Sequence, residues 1–398
     1  MKQAMVSLDA LRRDPNSLAR HYSRFRVGER LLLTGHSHQA WPDVARDGQI
    51  EAFDAAAERV DGKWDLAFEK AERVRRGFAD WLGDRPENLT LAPNTHDLLV
   101  RFLSALPLRE RPRLVTTDGE FHTIRRQLQR LEEVGIEVVR VSSRDAETLA
   151  ERLAAEVDDR TAAVLCSTVL FHDSRIVPGL ERALRAAQIH GAELLLDTYH
   201  HLAVVPCDLE GAGLDAAFAV GGGYKYCQLG EGNCFLRVPP GRDLRPVVTG
   251  WFAEFEDLSH APAGSVAYGR GAAAFIGATY DPTSHFRAAA VLDFFDRFGL
   301  SVELLRRTSQ HQIGRLIDGF DRLGADPARI SRPAVRLEQL GGFLTLRSPD
   351  AARLCALLLE RGVRTDVRGD CLRLGPAPYL SDRQLDDAIS ALGEALRA

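Results

Sequence analysis

The spacing of hydrophobic positions changes character along the chain. Over residues 45–82 apolar side chains recur at helical intervals, through DGQIEAFDAAAERV and again through AFEKAERVRRGFADWLG, and this predicts helices with Gly83 as the stop. A short apolar piece, NLTLAP, reads as a strand, and Asn94-Thr95 then opens the helical stretch HDLLVRFLSAL. From residue 113 apolar runs and amphipathic stretches alternate. RLVTTD, IEVVRVS, TAAVLCST, ELLLDT and AAFAVGG read as strands, and TIRRQLQRLEEVG, AETLAERLAAEV and GLERALRAAQIHG as helices. Such alternation predicts an α/β fold with a mostly parallel central sheet and flanking helices. After residue 250 the pattern turns helical over 286–324 and closes with an α+β stretch: GGFLTLRS, AARLCALLLERG, CLRLGP and SDRQLDDAISALGEAL. The reading divides the chain into an N-terminal segment (1–44), a large domain (45–250) and a smaller α+β C-terminal domain (251–398).

Composition changes this picture little. With 398 residues, 45% hydrophobic and 27% charged, the chain has the balance of a soluble globular protein. Its net charge of −5 is spread along the chain, without the basic stripe of a nucleic-acid or membrane-surface binder. No stretch approaches the ~20 apolar residues of a membrane span, so a cytoplasmic setting is expected. Six cysteines form no CxxC pair, and twelve histidines offer no third ligand at a metal-binding spacing. Reduced thiols and no metal are expected.

In a parallel sheet the ligand lies beyond the carboxyl ends of the strands. The residues there form a set. Asp197 ends ELLLD, where a carboxylate either caps the following turn or awaits a cationic partner. Lys225 follows a strand and three glycines in GGGYKYCQLGEGN; it is an exposed loop lysine or a desolvated nucleophile. The glycines suggest a close backbone approach to a ligand or left-handed φ. Asn94 and Thr95 open a helix, as plain caps or as an anion site. Phe121 follows RLVTTD, as a core residue or as a stacking face. Taken together the four features fit pyridoxal 5'-phosphate. Its phosphate needs a helix N-terminus, its ring a stacking face, its ring nitrogen a carboxylate and its aldehyde a lysine.

The order of these residues resembles the class V aminotransferase superfamily of fold-type-I pyridoxal-phosphate enzymes, and kynureninase most. DTYHH at 197–201 is similar to that family's Asp-x-x-His segment, which implies Asp197 at the pyridine nitrogen and His200 near the phenolic oxygen. YKY at 224–226 resembles its Schiff-base motif, which implies Lys225 as the catalytic lysine and Tyr224 as a phosphate ligand. GWF at 250–252 implies that Trp251 reaches a partner's phosphate site in a homodimer. RGDCLRLGPAPYL at 368–380 implies Arg373 as the clamp for a substrate α-carboxylate. LTGHSHQAWP at 33–42 resembles the segment that closes over the site.

The departures lie on the substrate side. The family's Gly-Asn-Ser-Leu-Gly is here Gly35-His36-Ser37-His38-Gln39, its Asn-Pro pair is Asp281-Pro282, and the acidic residue after the stacking phenylalanine is absent. His36, His38, Asp281, Arg270 and Tyr280 are the candidates for a rewritten substrate pocket. The resemblance implies an enzyme acting on an amino acid, a kynureninase-like lyase or hydrolase cleaving a side-chain bond after Cα deprotonation. A class V aminotransferase is the alternative, and a non-catalytic binding protein on the same fold a third. A cysteine desulfurase is disfavoured, because Cys371 reads as part of a strand rather than of a mobile polar loop.

Overall fold

The apolar runs between residues 89 and 237 form one seven-stranded sheet. In the computed structural model, which describes residues 5–257 and 264–398, the chain opens with α1 (Leu8–Arg12), β1 (Leu31–Leu32), α2 (Val44–Arg59) and α3 (Lys63–Leu82). Sheet strands and helices follow: β2 (Leu89–Ala92), α4 (Thr95–Ser104), β3 (Arg113–Thr117), α5 (His122–Glu132), β4 (Glu137–Val141), α6 (Leu149–Ala155), β5 (Thr161–Ser167), α7 (Leu180–Ile189), β6 (Glu193–Asp197), β7 (Phe218–Gly222) and β8 (Cys234–Arg237). The strand order is β2-β8-β7-β6-β5-β3-β4. The pairs from β4 through β7 are parallel, and β8 runs antiparallel to both its neighbours. The sheet is therefore mostly parallel, as the alternation predicts, with one strand, β8, that the pattern does not reveal.

The helices form where expected. In α3 the residues Ala67, Ala71, Val74, Phe78 and Leu82 bury one stripe, and Gly83 ends the helix with a φ of 63°. Strands β5 and β7 are buried throughout, which is why they read as unbroken apolar runs. Beyond residue 250, α8 (Thr283–Phe298) packs on α2 and α3 of the large sheet's helical layer. Then come α9 (Val302–Arg322), β9 (Leu344–Arg347), α10 (Ala351–Glu360), β10 (Val363–Arg364), β11 (Asp366–Arg368), β12 (Cys371–Leu374) and α11 (Asp382–Arg397). Strands β11, β12 and β9 make a small antiparallel sheet, and β1 lies parallel to β10. The N-terminal segment is thereby tied to the C-terminal part. Among the described residues no helix is long and apolar enough to cross a membrane.

The three glycines before Lys225 are also required by packing, and not by left-handed φ. None of Gly221, Gly222 and Gly223 has a left-handed φ. A Cβ on Gly222 would lie 2.5 Å from both Cys234 Sγ and Tyr199 Oη, and one on Gly221 2.8 Å from Thr198 Oγ1. These positions are small because neighbouring side chains fill the space. The backbone freedom of glycine is needed later in the loop, at Gly230 and Gly232, with φ of 68° and 92°. Gly222→Ala is expected to destabilise the fold by about 1–3 kcal/mol through overpacking, read as a lower denaturant midpoint with unchanged slope.

Candidate active site

The parallel strands deliver side chains to one edge of the sheet. Ser167 and Asp197 are register partners at the carboxyl ends of β5 and β6, and Asp197 pairs with Val220 in the middle of β7. Past β3 the chain turns through Glu120 and Phe121, and Phe121 is the N-cap of α5. Past β7 it makes an excursion and returns as β8. Gly223 N–H donates to Asn233 O at 2.9 Å and Leu229 N–H to Gly223 O at 2.8 Å, which pins the loop carrying Lys225. A cavity of about 210 Å³ opens above this edge. Asn94, Thr95, Phe121, Ser167, Phe171, Asp197, Tyr199, His200, Tyr224, Lys225 and Cys234 are among its lining residues.

Lys225 is 6% exposed. Its Nζ lies 2.7 Å from His200 Nε2 and 5.4 Å from the centre of the Phe121 ring. Burial lowers its ammonium to about 7, against the opposing pull of Asp197. Burial also holds His200 well below the usual histidine range, so its imidazole is neutral. Asp197 is pushed upward by burial, with Tyr199 N–H donating to its Oδ1 at 2.9 Å. No cationic side chain comes within salt-bridge distance of Asp197 among the described residues. Asn94 Oδ1 accepts from Asp97 N–H at 2.9 Å, so its side chain caps α4 while the first turn of that helix faces the cavity.

These features fit pyridoxal phosphate on the chain's own chemistry. A carboxylate without a cation opens onto the cavity, and His200 Nδ1 is buried without a hydrogen-bond partner. Both are costly unless a ligand satisfies them. Asp197 would face the ring nitrogen, Phe121 the ring, the start of α4 the phosphate, and Lys225 the aldehyde carbon. An amine of lowered pKa is the nucleophile this attachment needs. The apoprotein is therefore expected to take up pyridoxal phosphate about tenfold more slowly for each pH unit below 7, as the neutral fraction of Lys225 falls, with a plateau above. Stopped-flow absorbance of cofactor uptake against pH measures this.

Of the residues singled out in the sequence, Asn94, Thr95, Phe121, Asp197, His200, Tyr224 and Lys225 line this one cavity. Five do not. His38 stacks on Tyr224, ring centres 4.9 Å apart, and stands 3.6 Å from Glu231 while itself exposed. His36 is fully buried and bonded to Asp366. Arg373 is 3% exposed and held by Asp366 and the Phe171 carbonyl. Trp251 is half exposed on the surface, and Asp281 caps Thr283 at the start of α8. Tyr280 bonds His285, which bonds Asn233 of the lysine loop.

Sequence reading missed two carboxylates. Glu120 is buried beside Phe121, where burial raises it to about 7 and Ser167 N–H, Ser167 Oγ and Thr117 Oγ1 all donate to it. It fixes the turn that carries Phe121 to the end of β5. Its only signal was its position, between a strand end and a helix cap. Asp366 is the other, and lies directly across a hairpin from Arg373.

Comparison with known proteins places this geometry. Residues 305–392 match the kynureninase C-terminal domain. Kynureninase from Pseudomonas fluorescens is 28% identical, over 98% of this chain and 94% of its own length. An uncharacterised aminotransferase, YcbU, from Bacillus subtilis is 24% identical, over 83% and 85%. A solved structure of a C-DES protein, with glycine covalently linked to its pyridoxal-phosphate cofactor, superposes with a TM-score of 0.81. It covers 94% of this chain and 98% of its own at 16% identity, a likeness of fold. The cysteine desulfurase CsdA of Escherichia coli superposes at 0.75 and 14% identity, over 94% and 98%. With its mostly parallel sheet, its lysine-bearing cavity and its likeness to kynureninases over most of its length, the chain has the fold-type-I architecture of pyridoxal-phosphate enzymes and is similar to members of the class V aminotransferase superfamily.

Proposed function

We propose that the protein is a kynureninase-like lyase or hydrolase that removes the Cα proton of an amino acid and cleaves a bond of its side chain. The observation that carries this reading is the desolvated Lys225, lowered to about 7 and 2.7 Å from a neutral His200 in the same cavity as the cation-free Asp197. When bound, pyridoxal phosphate supplies the electron sink for a carbanion at Cα. Lys225 would hold the cofactor, and its Nζ would serve as the general base for the Cα proton. His200 holds Nζ in place without adding a competing charge. Asp197 keeps a proton on the ring nitrogen through its negative charge. Arg373 binds the substrate α-carboxylate, and its place within the matched C-terminal domain supports that role. His36, His38 and Asp281 stand where the chain departs from the family, so they belong to what distinguishes its substrate.

Incubation with L-kynurenine or 3-hydroxykynurenine tests the substrate through anthranilate fluorescence. Absence of product with both removes kynureninase and leaves the cofactor assignment standing. A second reading, a class V aminotransferase, draws on the similarity to the Bacillus subtilis aminotransferase. Stoichiometric release of the keto acid of the added amino acid, with loss of the visible band until a second keto acid is supplied, identifies it. Cysteine desulfuration is not favoured. Cys371 is buried in β12 with its thiol pushed up to about 11, and Cys234, in the cavity wall, is pushed up to about 12.

We read the protein as a homodimer in which Trp251 meets the partner's phosphate. The exposed Trp251, Phe255 and Phe68 form one aromatic patch that supports an interface there. Sedimentation at twice the monomer mass is the expected result. Six free thiols suit a cytoplasmic setting.

A further inference from the structure

Arg373 carries more structure around it than a carboxylate clamp requires. Its Nε donates to Asp366 Oδ1 at 2.8 Å and its Nη2 to Asp366 Oδ2 at 2.5 Å, a two-pronged pairing across neighbouring strands. Its Nη1 donates to the carbonyl of Phe171 at 2.6 Å, and Phe171 lines the cofactor cavity. A guanidinium has five N–H donors. Three are spent, and the two that remain lie one on each terminal nitrogen, the pair that grips a carboxylate end-on. Asp366 therefore fixes the plane of the guanidinium.

Asp366 is itself held. His36 Nε2 lies 2.8 Å from Asp366 Oδ1, and because the carboxylate only accepts, Nε2 carries the hydrogen. His36 is fully buried, its ring 4.5 Å from that of Phe343. Gly375 makes room for it, since a Cβ there would lie 2.1 Å from His36 Nδ1. Gly35 N–H donates to Gly375 O at 2.7 Å and holds the segment down. Burial keeps the imidazole neutral at about 4, and His36 and Arg373 keep the Asp366 carboxyl well below its usual range. The buried core of the cluster thus pairs Arg373 with Asp366 around a neutral His36, and Arg368 stands 3.7 Å from Asp366 on the more exposed side. Three separate stretches converge on it: the N-terminal segment, the β11–β12 hairpin and the Phe171 turn of the large sheet.

We propose that Asp366 is the positioning residue for substrate-carboxylate binding, orienting Arg373 toward the cavity, with His36 locking Asp366 from the N-terminal segment. The inference rests on the reading of Arg373 as the carboxylate clamp. It moves His36 from the substrate pocket to the support behind it. Without Asp366 the guanidinium keeps only the Phe171 carbonyl and swings out of register. Binding through the substrate's amine does not depend on that register.

The test compares two probes, L-alanine and ethylamine, which share an amine and differ in the carboxylate. Each is titrated into the pyridoxal-phosphate-loaded protein and followed by the shift of the visible band, a binding readout independent of turnover. Asp366→Asn is expected to weaken L-alanine about 10- to 100-fold, the range for a lost hydrogen bond to a charged group, and to leave ethylamine within about twofold. His36→Phe is expected to act in the same direction and less strongly, and His36→Gln, which restores an N–H donor, to recover most of the loss. Arg373→Gln is the reference and should abolish the preference for L-alanine. If Arg373→Gln loses the preference while both Asp366→Asn and His36→Phe keep it, the positioning role is overturned and the clamp survives. If Asp366→Asn weakens both probes equally, its role is structural and the proposal fails. If the wild type itself prefers neither probe, the clamp reading falls and takes the positioning role with it. Should Asp366→Asn fail to fold, the His36→Phe and His36→Gln pair decides by the same ratio.

Discussion

Lys225→Ala is expected to abolish the visible absorbance that appears when pyridoxal phosphate is added, and to slow Cα–H exchange in deuterated water by on the order of 10³-fold or more. The exchange is followed on whichever amino acid of a panel shifts the wild-type band most, so the prediction does not depend on knowing the side-chain chemistry. Two roles converge on the same nitrogen, covalent anchorage and proton removal, and alanine removes both. The alternative bases in the cavity cannot substitute. His200 touches Nζ, but its burial holds the imidazole neutral and far below the range of an effective base. Tyr224, raised to about 12 by burial, keeps its proton at neutral pH. Folding should be spared. Lys225 makes no salt bridge among the described residues, and a buried amine lowered to about 7 is a group the fold tolerates rather than needs. A melting temperature within a few degrees of the wild type, together with a persistent visible band, would defeat the assignment of this lysine.

The cavity was legible from sequence to the extent that it hangs on strand ends. β5, β6 and β7 are short buried runs between amphipathic stretches, so their carboxyl ends, and with them Asp197 and the approach to Lys225, could be located by period alone. Phe121, Asn94 and Thr95 were found the same way, as the first residues after β3 and β2. What depended on long-range pairing was not legible. β8 is four residues long, follows a glycine-rich loop and is buried on every position, so it shows no alternation. Asp366 acquires its meaning from standing opposite Arg373 across a tight hairpin and beside His36, 330 residues earlier. Nothing in the local sequence distinguishes it from a surface aspartate. The crowding at the glycine run was not legible, because the side chains of Tyr199, Phe235 and Cys234 that fill the space come from other strands and loops.

Asp197→Asn is expected to leave the cofactor attached to Lys225 while lowering the Cα exchange rate by on the order of 10²–10³-fold, the cost of removing one preorganised electrostatic group. The amide is nearly the same size as the carboxylate and can still accept the Tyr199 N–H that now bonds Oδ1 at 2.9 Å. It lacks the negative charge that keeps a proton on the ring nitrogen, and without that proton the electron sink is weaker. Lys225 remains in place, so the visible band should persist with a shifted maximum. The stability effect has the opposite sign. Burial raises the Asp197 carboxyl above its unfolded value, so the folded state holds its proton more tightly, and ionisation costs stability as pH rises past the unfolded value. In the apoprotein the asparagine variant should therefore gain on the wild type as pH rises from 4 to 8, measured by denaturant midpoints at each pH. A group kept for packing would lose stability when replaced and leave exchange untouched. A group kept for chemistry does the reverse, and at Asp197 the two measurements are expected to move apart in that way.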